Sequence, residues 1–494
     1  MNKSKVFSLR NLHIAIIIVG IIFVFIPVFH SNLWFDESYS VALANHSYKE
    51  IWTIGGNDVH PILYYWILHT LQLIFGNKII IYRLFSAACI AILGIIGFSH
   101  IRKDFGEKTG LLFSFLTYFL PVSTSYSGEI RMYSLGLLLG TIMSIYAYRI
   151  YKNNIKKGSF SIFAISSLSL AYTHYYGLMF AGIVNLLLFI DLIKNREERK
   201  KDLKKFIICA IVQVLLYIPW IICFLTQIKH VSSGFWITVS FPETFYEILT
   251  LHFKGNLTQN EGLLLAGIVC TYVASILLGI KKNERKPVTM CLLIYLAIII
   301  IACIVSLFMH TVILLCRYLV IISGLIIFAI AFLVQKDENK YRKIIVCSII
   351  LLISVISNIS LIIENYNPSN TDCINYINHN IQAGEIIIYS NVIDGAVITT
   401  EISTEKDNVS YFYNKNNWSV HEAYKAFSPY MEIKENLNDI IGNYHGRIWV
   451  IESANTSELA EEIANNYDIK KVDERQFKQD YKKIGYTVEV IEKK

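Results

Sequence analysis

Charge is scarce in this sequence. Only 17% of its 494 residues are Asp, Glu, Lys or Arg, against 54% that are hydrophobic, and the mean hydropathy is +0.46. A disordered chain needs the opposite balance, and an ordinary soluble domain carries about a quarter charged residues. Proline is rare, at 8, and the 25 glycines keep no three-residue period, so collagen-like and linker-like readings fall away. Of nine cysteines, eight lie inside apolar stretches with no CxxC or Cys/His spacing. They read as small buried apolar residues, and no structural zinc site is visible. Cys373 alone falls in the polar C-terminal tail, which therefore cannot be stapled to itself. That tail also lacks GxGxxG and GxxxxGK[ST], so a nucleotide site has no support there.

What is present is a series of long apolar runs. About 20 apolar residues at helical rise match the thickness of a bilayer's hydrocarbon layer. On that criterion eleven spans are expected, near 11–29, 79–101, 109–125, 131–151, 159–175, 177–193, 204–225, 261–280, 288–309, 312–334 and 343–363. The first follows Lys3, Lys5 and Arg10, lacks a small-x-small cleavage site and reads as a retained signal anchor. With the amino-terminal tail, the connections IRKDFGEK, YRIYKNNIKKG, KNREERKKDLKK, KKNERKP and QKDENKYRK hold 25 of the 32 Lys and Arg in residues 1–366 and are expected in the cytoplasm. The fold class expected is a polytopic α-helical membrane protein.

Two regions stand apart from the spans. Residues 367–494 carry 13 Lys and Arg against 20 Asp and Glu. Their short β-rich runs GEIIIYSN, VSYFYN, GRIWVIES and YTVEVIEK alternate with the helix-like stretches 371–381 and SELAEEIANNY. A small α/β domain on the extracytoplasmic side is expected, after a membrane module spanning 1–366. The other region is a long first outer loop, residues 30–78. Its segments YKEIWTI and ILYYWILHTLQLIF fit helices lying along the interface, with Trp34, Trp52, Tyr64, Tyr65 and Trp66 suited to the headgroup layer. The basic excess of the membrane part can meet anionic lipid headgroups, and no basic stripe with interleaved aromatics points to nucleic acid.

Ionisable residues gather in the outer connections. Asp36 and Glu37 open the first loop in LWFDESYS, where carboxylates near lipid suggest function, although a helix cap explains Asp36 as well. Asp58 and His60 lie between the two interfacial helices, a place that a turn or helix start also accounts for. Glu129, Arg131 and Tyr133 follow the third span; snorkelling would equally explain Arg131. His174 and its adjoining tyrosines follow the fifth span, where a structural histidine is the plainer reading. Arg317 opens the tenth, as an anchor or an anion clamp. Their shared side favours a common purpose. Guanidinium groups bind phosphate oxygens, and a carboxylate can accept a proton from an attacking hydroxyl.

Taken in order, LWFDES, NDVHP, IYRLFSA, GEIRMYSL, YTHYYG and CRYLV resemble the bacterial relatives of dolichyl-phosphate-mannose protein mannosyltransferases. These are membrane glycosyltransferases of the GT-C fold, a group that includes the lipid A aminoarabinose transferases. The resemblance covers roughly residues 10–330. It implies transfer of a sugar from a polyprenyl-phosphate-linked donor to a cell-envelope acceptor at the outer membrane face, usually with inversion. It also implies that Asp36 is the catalytic acidic residue, with Glu37 beside it, and that the family's His-Pro-Pro stands here as His60-Pro61-Ile62. Arg131 and Arg317 are then expected to stabilise the departing phosphate. Asp58, His60, Arg83, Glu129, Tyr133, His174, Tyr175 and Tyr318 complete the expected donor site. Glu37, Asp58 and Glu129 are the candidates for holding a divalent cation, Mg or Mn, which the motifs do not themselves require. A transporter or flippase of a lipid-linked sugar is the competing reading, opposed by spans whose central parts are nearly free of charge and by the lack of related halves.

Overall fold

The apolar runs fold as helices. The computed structural model describes residues 3–233, 239–402, 407–415 and 421–493. Among these, eight helices are long and apolar enough to cross a membrane: Leu9–Val28, Ile79–Phe105, Tyr175–Lys194, Lys200–Lys229, Gln259–Gly279, Lys282–Met309, Cys316–Lys336 and Lys340–Asn380. The other three expected spans are also helical but do not meet that measure. The run 109–125 is divided by Pro121, which opens Pro121–Ser127 after Glu107–Phe119 has ended. Ser159–Ala171 is 13 residues long, roughly 20 Å against a hydrocarbon core of about 30 Å. Tyr133–Tyr151 has the length, at 19 residues. Eleven crossings therefore do not follow from length and composition.

By its contacts the chain divides into two units. The first contains 1–29, 59–64 and 81–361; the second contains 30–58, 65–80 and 362–494. In the first, Cys316–Lys336 has 89% of its apolar window buried, whereas Lys200–Lys229 has 11% and presents Ile208, Ile211, Val214, Leu215 and Ile222 outward. An apolar helix so exposed requires lipid around it. Small residues let backbones approach inside the bundle. Ser114 Oγ, from Glu107–Phe119, donates to Gly94 O at 2.6 Å, and Tyr118 Oη donates to Ala91 O at 2.8 Å. A Cβ on Gly94 would lie 2.0 Å from Tyr118 Cζ, so only glycine fits there.

The second unit is built on a six-stranded sheet of β1 (Ile386–Tyr389), β2 (Val409–Tyr413), β3 (Glu432–Lys434), β4 (Gly446–Ser453), β5 (Ile469–Lys478) and β6 (Gly485–Lys493). Its order is β3-β2-β1-β4-β6-β5. The first four strands run parallel, with Ile386 opposite Val409 on one side and Ile448 on the other; β6 is antiparallel to β4 and to β5. Strand β1 reads IIIY and is buried throughout, as a central parallel strand covered on both faces must be. Leu459 and Ile463, on the helix Glu458–Asn466, pack with Ile388, Ile448 and Val450 in its core.

The first loop forms the rest of this unit. It folds into Phe35–Ala44, Tyr48–Gly55 and Leu63–Phe75, the second opened by a reciprocal Ser47–Glu50 capping box. The third begins in the first unit and continues into the second. Asn45 Nδ2 and Asn77 Nδ2 donate to Tyr430 Oη at 2.8 and 3.2 Å, and His46 Nε2 lies 3.0 Å from Ala426 O. Loop and tail are thus folded together.

Candidate functional site

In the first unit an aromatic and basic cluster forms where four connections begin or end helices. His174 caps Tyr175–Lys194 with extended backbone, and its Nδ1 accepts the Tyr176 amide at 3.0 Å. That bond leaves Nδ1 without a proton, so the neutral ring carries its hydrogen on Nε2. The His60 ring lies 5.1 Å from that of His174, centroid to centroid, and the Tyr318 ring lies 5.9 and 4.7 Å from the two. Tyr133, which begins Tyr133–Tyr151, stands 6.2 Å from His174. Leu63 N donates to Tyr172 O at 3.0 Å, joining the His60 segment to the turn before His174.

Two guanidinium groups act on this cluster. His60 is held well below the usual histidine range, first by burial and then by the charges of Arg131, His174 and Arg317. His174 is lowered to about 3, again by burial first and then by Arg131 and Arg317. Both imidazoles are therefore neutral at physiological pH and can donate or accept hydrogen bonds without adding charge. Arg317 lies over the Tyr318 ring, its Cζ 5.7 Å from the centroid. Arg83, almost wholly buried, donates from Nη1 to Gly128 O at 2.6 Å, while Ser86 Oγ donates to Glu129 O at 2.7 Å. Those bonds fix the turn that carries Glu129 and Arg131. Among the described residues, buried His60 Nδ1, His174 Nε2 and Tyr133 Oη make no hydrogen bond. Buried polar atoms are ordinarily satisfied, so each of these three can take a hydrogen bond from a ligand or a water.

Sequence neighbours separate here. Tyr176, not singled out in the sequence, has its ring 5.4 Å from Tyr318 and 5.7 Å from His174. Tyr175 instead meets Lys200–Ser233: it donates to Gln227 Oε1, accepts from Trp220 Nε1 at 3.2 Å, and packs 4.9 Å from Phe224.

The acidic residues of the first loop belong to the second unit. Asp36 and Glu37 occupy the first turn of Phe35–Ala44, where the amino-terminal end of a helix dipole favours negative charge. Asp36 is half-buried. Glu37 has no exposed surface, and its Oε2 accepts from Tyr481 Oη at 2.8 Å. The chain before them is held by Asn32 Nδ2 donating to Asn365 O at 2.7 Å and by Leu33 N donating to Glu401 Oε1 at 3.2 Å. Asp58 lies near Tyr424, whose hydroxyl is pushed up to about 12 by burial and then by the Asp58 charge. No three His, Cys, Asp or Glu side chains among the described residues converge as ligands of one metal ion. The cation candidates Glu37 and Asp58 fall in the second unit and Glu129 in the first.

Residues 59–223 match the family model of dolichyl-phosphate-mannose-protein mannosyltransferases. That segment contains His60, Arg83, Glu129, Arg131, Tyr133, His174 and Tyr175, and excludes Asp36, Glu37, Asp58, Arg317 and Tyr318. No curated protein matches the sequence. Among solved structures the chain is similar to ArnT from Cupriavidus metallidurans in the apo state, at 9% identity over 97% of this chain and 98% of that one, with a TM-score of 0.67. It is also similar to ArnT from the same organism bound to undecaprenyl phosphate, at 11% identity over 96% and 97%, with a TM-score of 0.62. At such identities the likeness is one of fold. The chain is a multi-pass membrane protein with the GT-C fold and a small C-terminal sheet domain.

Proposed function

We propose that the protein transfers a sugar from a polyprenyl-phosphate-linked donor to a hydroxyl of a cell-envelope acceptor, on the extracytoplasmic face and with inversion at the anomeric carbon. The observation that carries this reading is the first unit's cluster. His60 Nδ1, His174 Nε2 and Tyr133 Oη are buried without a hydrogen-bond partner among the described residues, on neutral or phenolic groups influenced by Arg131 and Arg317. The family match at 59–223 and the undecaprenyl phosphate in the similar ArnT structure support a polyprenyl phosphate as the lipid part.

In the proposed reaction the acceptor oxygen bonds to the anomeric carbon as the bond from that carbon to the phosphate oxygen breaks. The leaving polyprenyl phosphate keeps the electron pair. Arg131 and Arg317 stabilise its growing negative charge, and the neutral imidazole of His174 offers its Nε2 hydrogen to a phosphate oxygen. Asp36 takes the acceptor hydroxyl's proton. Replacing Asp36 with Asn should abolish turnover in reconstituted vesicles while leaving undecaprenyl phosphate binding intact. Arg317→Gln should weaken binding of undecaprenyl phosphate to the purified protein by at least tenfold. Full turnover in the first variant would remove Asp36 as the base, and undiminished binding in the second would remove the phosphate clamp.

A further inference from the structure

At the other end of the first unit's helices lies a cavity of about 540 Å³. Its volume is in the range of small-molecule and lipid pockets, roughly 300–1,000 Å³. The inner wall is apolar, including Phe105, Phe113, Ile145, Phe180, Ile321 and Phe328, and the rim carries Lys152 and Lys286. It is separate from the histidine cluster: on the helix Tyr133–Tyr151, Tyr133 belongs to the cluster and Tyr151 to the cavity. Helical rise puts those ends about 27 Å apart.

The lining carries Asp104, Asp191 and Glu284 beside Lys152 and Lys286, and although the Asp191 charge reaches Lys286, each acid has another basic partner in an ion pair. Asp104 pairs with Arg149 at 2.8 Å, Asp191 with Arg199 at 3.2 Å and Glu284 with Lys336 at 2.6 Å. Lys286 Nζ donates to Tyr151 Oη at 2.6 Å and lies 5.3 Å from that ring's centroid. Lys152 Nζ lies 5.8 Å from the same centroid. Neither lysine has a carboxylate within 4.0 Å among the described residues. Two ammonium groups thus flank one tyrosine at the mouth of an apolar chamber. From Lys152 inward to Gly140, another lining residue, the helix rises about 18 Å, a depth suited to an acyl chain. The rim belongs to the connections whose Lys and Arg excess places them in the cytoplasm by the sequence argument.

We propose that this cavity binds an anionic diacyl phospholipid of the cytoplasmic leaflet, one acyl chain among the phenylalanines and its phosphate between Lys152 and Lys286. The required chemistry is an apolar tail joined to an anionic head, which a free phosphate or a neutral lipid each supplies only in part. This site is independent of the proposed sugar transfer.

The test is native mass spectrometry of the full-length protein in mild detergent, offered phosphatidylglycerol, phosphatidylcholine or undecaprenyl phosphate in turn. Retention of phosphatidylglycerol should exceed that of phosphatidylcholine at least tenfold and fall at least tenfold in the Lys152→Gln/Lys286→Gln double variant. Both lysines are exposed, so their replacement leaves the core untouched. Ser144→Phe, which narrows the chamber without altering the rim charge, should reduce retention as well. Equal retention of the two phospholipids would overturn the proposal, as would phosphatidylglycerol retention unaltered in the double variant. So would lysine-dependent retention confined to undecaprenyl phosphate, which would give the cavity to the polyprenyl carrier.

Discussion

Tyr481→Phe removes one oxygen atom, yet it should disturb the acidic turn more than 440 residues earlier in the chain. Tyr481 Oη donates to Glu37 Oε2 at 2.8 Å, and Glu37 has no exposed surface. The donor is held in place by Asn370 Oδ1, which accepts the Tyr481 amide at 2.8 Å, and by the His30 ring, 5.1 Å away. Next to it Lys482 lies over Trp34, its Nζ 5.3 Å from the ring centroid, so two successive residues grip the start of Phe35–Ala44. Lys482 and Lys483 have φ of 54° and 52°, left-handed conformations that cost non-glycine residues about 1–2 kcal/mol each. The turn is held in that shape by the contacts it makes. A hydrogen bond to a charged group contributes about 1.5–3 kcal/mol. At about 2–4 °C per kcal/mol for a folding unit of 150–250 residues, the midpoint for unfolding of the second unit should fall by roughly 3–12 °C. Thermal unfolding of Tyr481→Phe, Glu37→Gln and the double variant would measure the coupling directly. Because Asp36, the base of the proposed reaction, shares the turn, Tyr481→Phe should also lower turnover more than it raises the KM for the donor. A coupling energy near zero, with turnover intact, would refute the idea that the C-terminal domain positions the acidic turn.

Acid should weaken the first unit. Burial first, and then the charges of Arg131 and Arg317, lower the pKa of His174 to about 3 from the ordinary histidine value of 6.5. The unfolded chain therefore binds a proton below pH 6.5 that the folded protein refuses. The resulting stability is complete above that pH and lost on acidification towards 3, at about 1.4 kcal/mol per unit. His174→Asn keeps a cap acceptor and should flatten the pH dependence of the unfolding midpoint between pH 7 and 5; an unaltered slope would show that another group sets it. Gly94→Ala puts a methyl group into Tyr118, whose hydroxyl is tied to Ala91 O. Overpacking of this kind costs about 1–3 kcal/mol, and removing the ring in Gly94→Ala/Tyr118→Ala should relieve the clash; midpoints of the single and double variants in detergent would check it.

Much of the architecture could be read from the sequence because the solvent imposes it. Each of the eleven apolar runs is helical, since a backbone in hydrocarbon must satisfy its own hydrogen bonds. GEIIIYSN, VSYFYN, GRIWVIES and YTVEVIEK became β1, β2, β4 and β6, because alternating or continuous β-branched and aromatic runs fit a buried sheet. Strand β5 gave no such signal: IKKVDERQFK has six charged residues in ten and survives as an edge, where charge discourages further pairing. The helix Phe241–Lys254 carries no span pattern either. Its Ser240–Glu243 capping box and Pro242 were visible, but Glu243, Glu247, His252 and Lys254 interrupt the apolar pattern that a span search follows.

The site was legible as a set of loop positions and much less so as a set of directions. Sequence order puts His174 and its tyrosines in the outer connection after an apolar run. It does not say which of Tyr175 and Tyr176 turns towards His174, because consecutive helical residues differ by about 100° in direction and both are aromatic. The structure gives Tyr176 to the cluster and Tyr175 to Trp220 and Gln227. Glu37 poses the same difficulty at longer range. From the motif alone Glu37 reads as a companion to Asp36 in the expected chemistry; the structure adds that a tyrosine from the far end of the chain donates to it. Reactive character belongs to a side chain's surroundings, and for Glu37 those surroundings are supplied by residues that no local motif could name. The thermal coupling between Glu37 and Tyr481 therefore bears directly on Glu37's role. A strong coupling makes it the fixed support on which Asp36 stands, and a weak one returns it to the candidates for chemistry.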